Sequence, residues 1–540
     1  MASLETLLLR MNSEMSSQYT YLKDKQEQCI KLCQSRDVLA VLPTGYGKTV
    51  IIQALPYIEE DSKCCLVING LNAIIEEQEK RFGDRCINIT DEVLKLLEKD
   101  DNPDLMHSTK AKDTISRLKN VDLSIRFILS HPENILHPKI KQMLMTEDWS
   151  NHITHVVIDE AHLVLSWGKQ EFRPAYMKVG LIKTFLKKDT KILALTATAN
   201  LAAQKQIKSV LQMVDTAVIT ESPNRPNVFL EVLKRPPSTG GVNCTEDAMF
   251  KTVDPYLHKL KVEGINFPKT IMYVPLKWCG VLHHRATTFQ EEAGEEEMKP
   301  YVSQYHAPQS KDMKALITHR MHETHDSLRL VFATEAYGTG IDVPDIKQII
   351  HVGPPNTMET YVQEIGRCGR NGQQATAVLY YNNTDIAANK EALKSEMREY
   401  VKNEDRCRRE FLLGYFGFNA PTNRDKHKCC DICKKSCSCD LCLNTSCSSG
   451  SEEIPMKYSK KKQEVAKHML MQYFHAENNL INEYVFPHLH TGLSDSFAAS
   501  LASKPAYRNY VKLSEDFPML KGSYLLNISN ILSQVHTMKI

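Results

Sequence analysis

An apolar run, Asp37 to Leu42, breaks into the glycine-rich stretch Pro43-Thr44-Gly45-Tyr46-Gly47-Lys48-Thr49, and helical texture follows through Leu55. Few junctions restrict a fold more tightly. A strand that turns on glycines and opens a helix at once belongs in a parallel α/β layer, buried on both faces. The same texture recurs. Short apolar runs at Cys64 to Ile68, Ile125 to Leu129, His155 to Ile158 and Lys191 to Leu195 alternate with longer polar segments of helical period. The alternation predicts a doubly wound parallel sheet over residues 17–215, preceded by an N-terminal extension, 1–16.

The pattern restarts after Ser222 to Val228, whose two prolines suit a hinge. Runs at Thr270 to Val274, Leu328 to Ala333, Gln348 to Val352 and Ala375 to Tyr381 predict a second α/β domain over 216–390, without a phosphate loop of its own. Inside it, Gln290 to Glu297 reads as a solvated acidic loop. A charged helical stretch then leads through Cys407 to Phe418 into a cysteine-dense segment ending at Cys447. Residues 391–447 are assigned to a metal-binding subdomain, and 448–540 to a linker and C-terminal region.

Composition bounds the class. The chain has 540 residues, too many for one ordinary core, and 42% hydrophobic with 24% charged residues suits a globular protein. No apolar run approaches the roughly 20 residues needed to span a bilayer, so no membrane partner is expected. The first 18 residues lack the basic stretch of a secretory signal. The 16 cysteines are therefore expected to be mostly reduced thiols, with any cluster serving as metal ligands. A net charge of +2 gives no global signature of nucleic-acid binding, though a local basic channel suffices.

The glycine-rich stretch has the chemistry of a phosphate cradle. Gly45 and Gly47 let backbone N–H groups face phosphate oxygens without a Cβ in the way. Pro43, Thr44 and Tyr46 complete the loop, Lys48 is placed to reach the β- and γ-phosphates, and Thr49 to offer its hydroxyl to magnesium. Leu42 stands where the strict pattern has its first glycine. Asp159 and Glu160 follow a strand ending at Ile158, and carboxylates at a strand's C-terminal end project into the ligand crevice. Asp159 is expected to hold magnesium through its water shell, and Glu160 to orient and deprotonate an attacking water. His162 is placed to relay toward Thr196 or Thr198. Arg367 and Arg370 share a helix face, and guanidinium groups from a second domain neutralise charge developing on a γ-phosphate. Arg370 is the preferred finger. Asp342, in the glycine-rich loop within Phe332 to Asp345, is placed to link that loop to the arginines or a ribose. Such a chain converts triphosphate hydrolysis into relative motion of two domains.

Cys407, Cys430 and Cys433 have the spacing of zinc ligands. The fourth ligand is His427 or Cys429. His427 makes a His-x-x-Cys-x-x-Cys array and is favoured, since adjacent residues rarely both reach one metal comfortably. Cys437, Cys439, Cys442 and Cys447 form a further group open to a second metal, to ligand replacement, or to no metal.

Taken in order, these motifs resemble those of superfamily 2 helicases, and specifically the RecQ family. Ile158 to Tyr176 resembles that family's joined DEAH box and aromatic-rich loop, Leu195 to Ala199 its domain-coupling motif, and Gln363 to Gly372 its arginine motif. Cys407 to Phe418, followed by Cys429 to Cys433, resembles its zinc-binding subdomain, and the likeness spans about Leu22 to Cys433. The resemblance implies two tandem RecA-like domains, then a helical zinc-binding subdomain and a small C-terminal segment where many relatives carry a winged helix. It implies ATP, Mg²⁺ and Zn²⁺ as cofactors and 3′-to-5′ unwinding of DNA with a single-stranded tail, with roles in repair and recombination in the nucleus. It places Gln26 against the adenine and makes Trp167, Phe172 and Arg173 DNA contacts, since bases stack on aromatic and guanidinium planes at about 1 to 3 kcal/mol each. The rival expectation is an ATP-gated nucleic-acid-binding translocase or RNA remodeller without processive DNA unwinding.

Overall fold

The computed structural model describes the chain outside residues 1–3, 16, 99–108, 170–172, 238–241, 289–300, 324, 339–342, 344, 423–424, 440–459, 480–492, 503–506, 508–512, 514–516, 518–519, 521 and 538–540. Phe172, Asp342, the acidic run 290–297, Cys442, Cys447 and the linker 448–455 lie outside the described residues. The chain divides into two units, Met1–Thr445 and Ser446–Ile540.

Two parallel sheets organise the larger unit. The first comprises β1 (Val38–Val41), β2 (Cys64–Ile68), β3 (Cys86–Ile89), β4 (Phe127–Ser130), β5 (Ile153–Ile158), β6 (Lys191–Thr196) and β7 (Ala217–Thr220), in the order β3-β4-β2-β5-β6-β1-β7. Successive residues of β1 serve opposite layers: Leu39 and Val41 enter one apolar cluster, Val38 and Ala40 the other. This is why its sequence is apolar at every position rather than alternating. The second sheet comprises β8 (Val228–Lys234), β9 (Thr270–Tyr273), β10 (Val302–Tyr305), β11 (Leu330–Ala333), β12 (Gln348–Val352) and β13 (Ala375–Tyr381), in the order β10-β11-β9-β12-β13-β8. Two tandem doubly wound domains are thus present, as expected.

The strands not anticipated from sequence are β3, β7, β8 and β10, and these are the four sheet edges. An edge strand is covered less completely, so its apolar run is interrupted: β8 alternates buried and half-buried residues, and β7 has one buried residue in four. β7 pairs with β1, so the first domain extends past residue 215 and the boundary moves into 221–227, ahead of β8.

The segment after β13 is not a separate body. Met397, Tyr400, Cys407, Leu412 and Leu413, on and beside the helices Ser395–Lys402 and Arg408–Tyr415, share one apolar cluster with β8, β12 and β13. Two buried arginines bolt it down. Arg408 forks onto Asp431, with Nε 3.0 Å from Oδ1, and Arg409 donates to the carbonyls of Arg225 and Cys429 at 2.7 and 3.3 Å. Asp431 also accepts from the Val232 N–H of β8 at 3.3 Å.

In the smaller unit, helices Lys460–Asn479, Asp495–Ala502 and Gly522–Thr537 pack around Leu470, Phe474, Leu501, Ile528 and Leu532. Its described residues contain no strand, so the sheet wing of a winged helix is not seen among them. No described helix is long and apolar enough to cross a membrane.

Arg408 and Asp431 are 4% and 13% exposed, and removing one partner of a buried pair typically costs about 3–5 kcal/mol. Asp431→Asn should therefore lower the unfolding free energy of the larger unit by about 3 kcal/mol in urea titrations. An unchanged midpoint and slope would mean that the pair does not hold the subdomain in place.

Candidate active site

β5, β6 and β1 lie side by side, so three loops emerge together from the C-terminal edge of the first sheet. The Leu42 N–H donates to the Thr196 carbonyl at 2.9 Å, and the Ala161 N–H to the Leu195 carbonyl at 2.8 Å. These bonds set the glycine-rich loop, the acidic pair and Thr196 against one another.

The loop conformation depends on glycine. Gly45 and Gly47 have φ of +81° and +93°, and Gly47 caps the helix Lys48–Ala54, whose N-terminus suits an anion. A Cβ on Gly47 would lie 2.5 Å from Nε2 of Gln26. That amide donates to the carbonyls of Tyr46 and Gly47 at 3.1 and 3.0 Å, while Oε1 of Gln26 accepts from the Lys23 N–H at 2.8 Å. Gln26 is thus a strut for the phosphate loop as well as the expected reader of a base. Lys23 also reaches the Tyr46 carbonyl, and its ammonium sits 4.9 Å from the Tyr46 ring centre. Lys48 Nζ rests on the Leu42 carbonyl at 3.2 Å, close to the acidic pair, while Pro43, Thr44 and Thr49 are half-buried.

Asp159 is buried and saturated on its inner side. Its Oδ2 accepts from Asn69 Nδ2 at 3.2 Å and Gln78 Nε2 at 3.0 Å, and its Oδ1 from the Glu160 N–H at 3.0 Å. Burial, then the Glu160 charge, push its carboxyl up to about 6 against the pull of Lys48. Glu160 stands in the left-handed region at φ 49°, a conformation that costs about 1–3 kcal/mol outside glycine. Burial would raise its carboxyl, yet contact with His162 and the charges of Lys48 and Arg367 hold it well below the ordinary range. Glu160 Oε2 lies 3.3 Å from His162 Nδ1, which faces Thr196 Oγ1 at 3.1 Å. These residues fit a magnesium ion: a hydroxyl at Thr49 and a carboxylate at Asp159 held by amide donors.

Arg367 is buried, 3% exposed, and its charge acts on Glu160 from the second domain. The hydroxyls of Tyr273, Tyr337 and Tyr305 also feel that charge. Arg370 behaves differently from the expectation. Its Nε donates to the Gly366 carbonyl of its own turn, 3.5 Å away, while the Arg367 charge helps lower Glu160. The reason is helical geometry: the helix Met358–Ile365 ends before Arg367, so the two arginines do not share one continuous face. A narrow cleft lined by Pro43, Thr44, Thr198, Arg225, Val362 and Gly366 brings the phosphate loop against this arginine segment.

Trp167 and Arg173 are half-buried and packed against their neighbours. Trp167 lies on a short helix, Leu163–Lys169, and packs edge-on against Tyr176 with ring centres 5.9 Å apart. Arg173 sits 5.6 Å from the Trp167 ring, forks onto Glu133 and donates to the Gly70 carbonyl at 2.6 Å. Gly70 has no room for a side chain, since a Cβ there would meet the Tyr176 hydroxyl and Trp167. Asn69, Gln78, Gly70 and Glu133 carry this arrangement and were not anticipated. The signal available for Asn69 was its place just past the C-terminal end of β2, the same strand edge that marked Asp159.

The thiols of Cys407, Cys429, Cys430 and Cys433 all lie within 4.8 Å of one another, with Cys407 Sγ 3.7 Å from Cys429 Sγ and 3.9 Å from Cys430 Sγ. A tetrahedral thiolate site with metal–sulfur bonds of about 2.3 Å has edges of about 3.8 Å, so the cluster fits zinc. His427, favoured as the fourth ligand, lies outside this group, and Cys429 takes its place. The objection to adjacent ligands fails because Cys430 is fully extended, at φ −163° and ψ 169°, between two short helices. That break lets both neighbouring side chains enter one centre.

Residues 23–207 match the DEAD/DEAH box helicase family and residues 261–372 the helicase conserved C-terminal domain. The chain is 28% identical to a putative ATP-dependent RNA helicase of Acanthamoeba polyphaga mimivirus, over 78% of this chain and 70% of the relative. It is 28% identical to the mouse bifunctional 3′-5′ exonuclease/ATP-dependent helicase WRN, over 76% of this chain but 28% of that protein. It is 27% identical to mouse ATP-dependent DNA helicase Q1, over 75% of this chain and 58% of the relative. Among solved structures, Mss116p bound to ssRNA and AMP-PNP aligns over 99% of this chain and 89% of its own, with a TM-score of 0.53 at 14% identity. Saccharomyces cerevisiae Dbp5 bound to RNA and ADP BeF3 aligns over 73% of this chain and 91% of its own, with a TM-score of 0.50 at 17% identity. These structures share the fold of two tandem RecA-like domains.

Asp159 is the carboxylate expected to hold magnesium, and with its carboxyl pushed up to about 6, metal binding near pH 6 should expel its proton. Calorimetry of Mg²⁺–nucleotide binding at pH 6, in buffers of different ionisation heat, should register release of about half a proton beyond the nucleotide's own. The excess should vanish by pH 8, where the carboxylate is already charged. Equal release at both values would show that metal binding displaces no proton from Asp159, and that its carboxyl is not raised.

Proposed function

We propose that this chain, an ATP-hydrolysing helicase of superfamily 2, is a RecQ-type enzyme that moves along single-stranded DNA and separates duplexes. The observation carrying this reading is the short path from the aromatic segment to the catalytic carboxylate. Trp167 and Arg173 press on Gly70, Gly70 follows Asn69, and Asn69 hydrogen-bonds Asp159. A strand that stacks on Trp167 or competes for Arg173 acts on that path directly. The four-cysteine cluster bolted to the second domain supports the same reading and is assigned zinc. The role of that zinc is structural, since four protein ligands leave no open position for chemistry.

The chemistry is division of charge. Lys48 and the loop N–H groups would bind the β- and γ-phosphates, and Thr49 and Asp159 would hold a magnesium ion that neutralises charge there. Glu160 accepts the proton of the attacking water, oriented by His162. Arg367 meets the growing charge from the opposite domain, an effect worth about 10³ to 10⁵ in rate for arginines so placed. Because one domain supplies the carboxylates and the other the arginine, hydrolysis is tied to domain closure and release.

The mimivirus relative, named as a putative RNA helicase, favours RNA remodelling as the second reading. Strand displacement on forked, 3′-tailed and 5′-tailed DNA duplexes, beside matched RNA duplexes, separates the two. Preferential opening of the 3′-tailed DNA is expected, with Lys48→Ala inactive on every substrate. Opening of RNA alone would replace the DNA reading, and DNA-stimulated hydrolysis with no displacement would leave an ATP-gated binding protein. Trp167→Ala should lower DNA-stimulated turnover about tenfold, the equivalent of roughly 1.4 kcal/mol of stacking, and basal turnover far less. An equal fall in both would mark Trp167 as a packing residue.

A further inference from the structure

We propose that His427, Cys437 and Cys439 form a second zinc site, interleaved with the four-cysteine cluster and sharing none of its ligands. Their donor atoms all lie within 4.8 Å of one another. Two thiolates and one imidazole are donors that zinc favours over hard cations such as magnesium and calcium.

The arrangement follows from two short helices and the turn after them. His427 lies on the helix Lys426–Cys429, where its backbone N–H donates to the capping carboxylate of Asp425 at 3.0 Å. Cys430 then interrupts the helix, so Cys429 and Cys430 enter the buried cluster while the half-buried His427 stays out of it. After the helix Asp431–Lys435 the chain turns back. The Ser436 N–H donates to the Cys433 carbonyl at 3.2 Å and the Cys437 N–H to that of Lys434 at 3.1 Å. That reversal returns Cys437 and Cys439 to His427. A metal there would staple the end of the larger unit back onto the helix that begins the cysteine motif.

The two sites differ in exposure and ligand count. The four cysteines are buried, whereas His427, Cys437 and Cys439 are half-buried. Three protein donors leave a tetrahedral zinc one position for an outside ligand. The second ion is therefore the more exchangeable of the two.

Plasma mass spectrometry of the full-length chain tests this. The unaltered protein should carry two zinc ions, and brief EDTA treatment should remove one. The double variant Cys437→Ser, Cys439→Ser, and separately His427→Ala, should retain one ion, with far-ultraviolet dichroism unchanged. Alkylation by iodoacetamide, mapped on the unaltered protein, provides a readout that needs no variant. Cys437 and Cys439 should be protected before EDTA treatment and modified after it. One ion per unaltered chain, two ions retained in the double variant, or the same alkylation rate with and without EDTA would each overturn the proposal.

Discussion

Two adjacent carboxylates buried at the edge of one sheet set the conditions for the rest of the larger unit. A buried charge is costly unless partners surround it, and Asp159 and Glu160 are neighbours that each raise the cost of the other. Asp159 is accommodated by two amide donors, Asn69 just past β2 and Gln78 on the helix that follows. Glu160 is accommodated by three cationic or proton-donating groups from three places: Lys48 of the phosphate loop, His162 two residues on, and Arg367 of the second domain. The left-handed backbone at Glu160 is the local strain that aims its carboxylate at them. A charge satisfied from both domains is satisfied fully only when they approach, which is the physical origin of a motor.

Further contacts carry that dependence outward. Asn200, just beyond the Thr196–Ala199 segment, donates to the Tyr415 hydroxyl at 2.8 Å, and that hydroxyl donates to Glu359 at 2.6 Å. Glu359 stands in the first turn of the helix leading to Arg367, and Tyr415 ends the helix that follows Cys407. One hydrogen-bonded triad therefore joins the first domain, the arginine segment and the cysteine-cluster subdomain. On the other flank, Arg173 ties the aromatic segment to Gly70 and Glu133. Nucleic acid contacting either flank meets elements already connected to the acidic pair.

Much of this was legible before any coordinates. The interior strands were, because a strand covered on both faces must be apolar at every position, as Cys64 to Ile68 is. So were the phosphate loop and the acidic pair, whose function demands particular residue types at fixed spacing next to a strand. The edge strands β3, β7, β8 and β10 were not. Solvent or loops cover one side of such a strand, the apolar pattern lapses, and only pairing with a neighbour identifies it.

By itself, then, the amino-acid sequence determined two parallel sheets, a glycine-rich loop opening a helix, an acidic pair at a strand end and a cysteine cluster. These are properties of short segments, where local geometry and residue chemistry suffice. Tertiary structure alone decided which partners meet. It chose Cys429 over His427 through one extended residue, buried Arg367 where its charge acts on Glu160, packed Trp167 against Gly70, and gathered His427 with Cys437 and Cys439. Each of these turns on the direction of a side chain across a chain break or between domains, and sequence spacing carries no information about direction once the periodic backbone is interrupted.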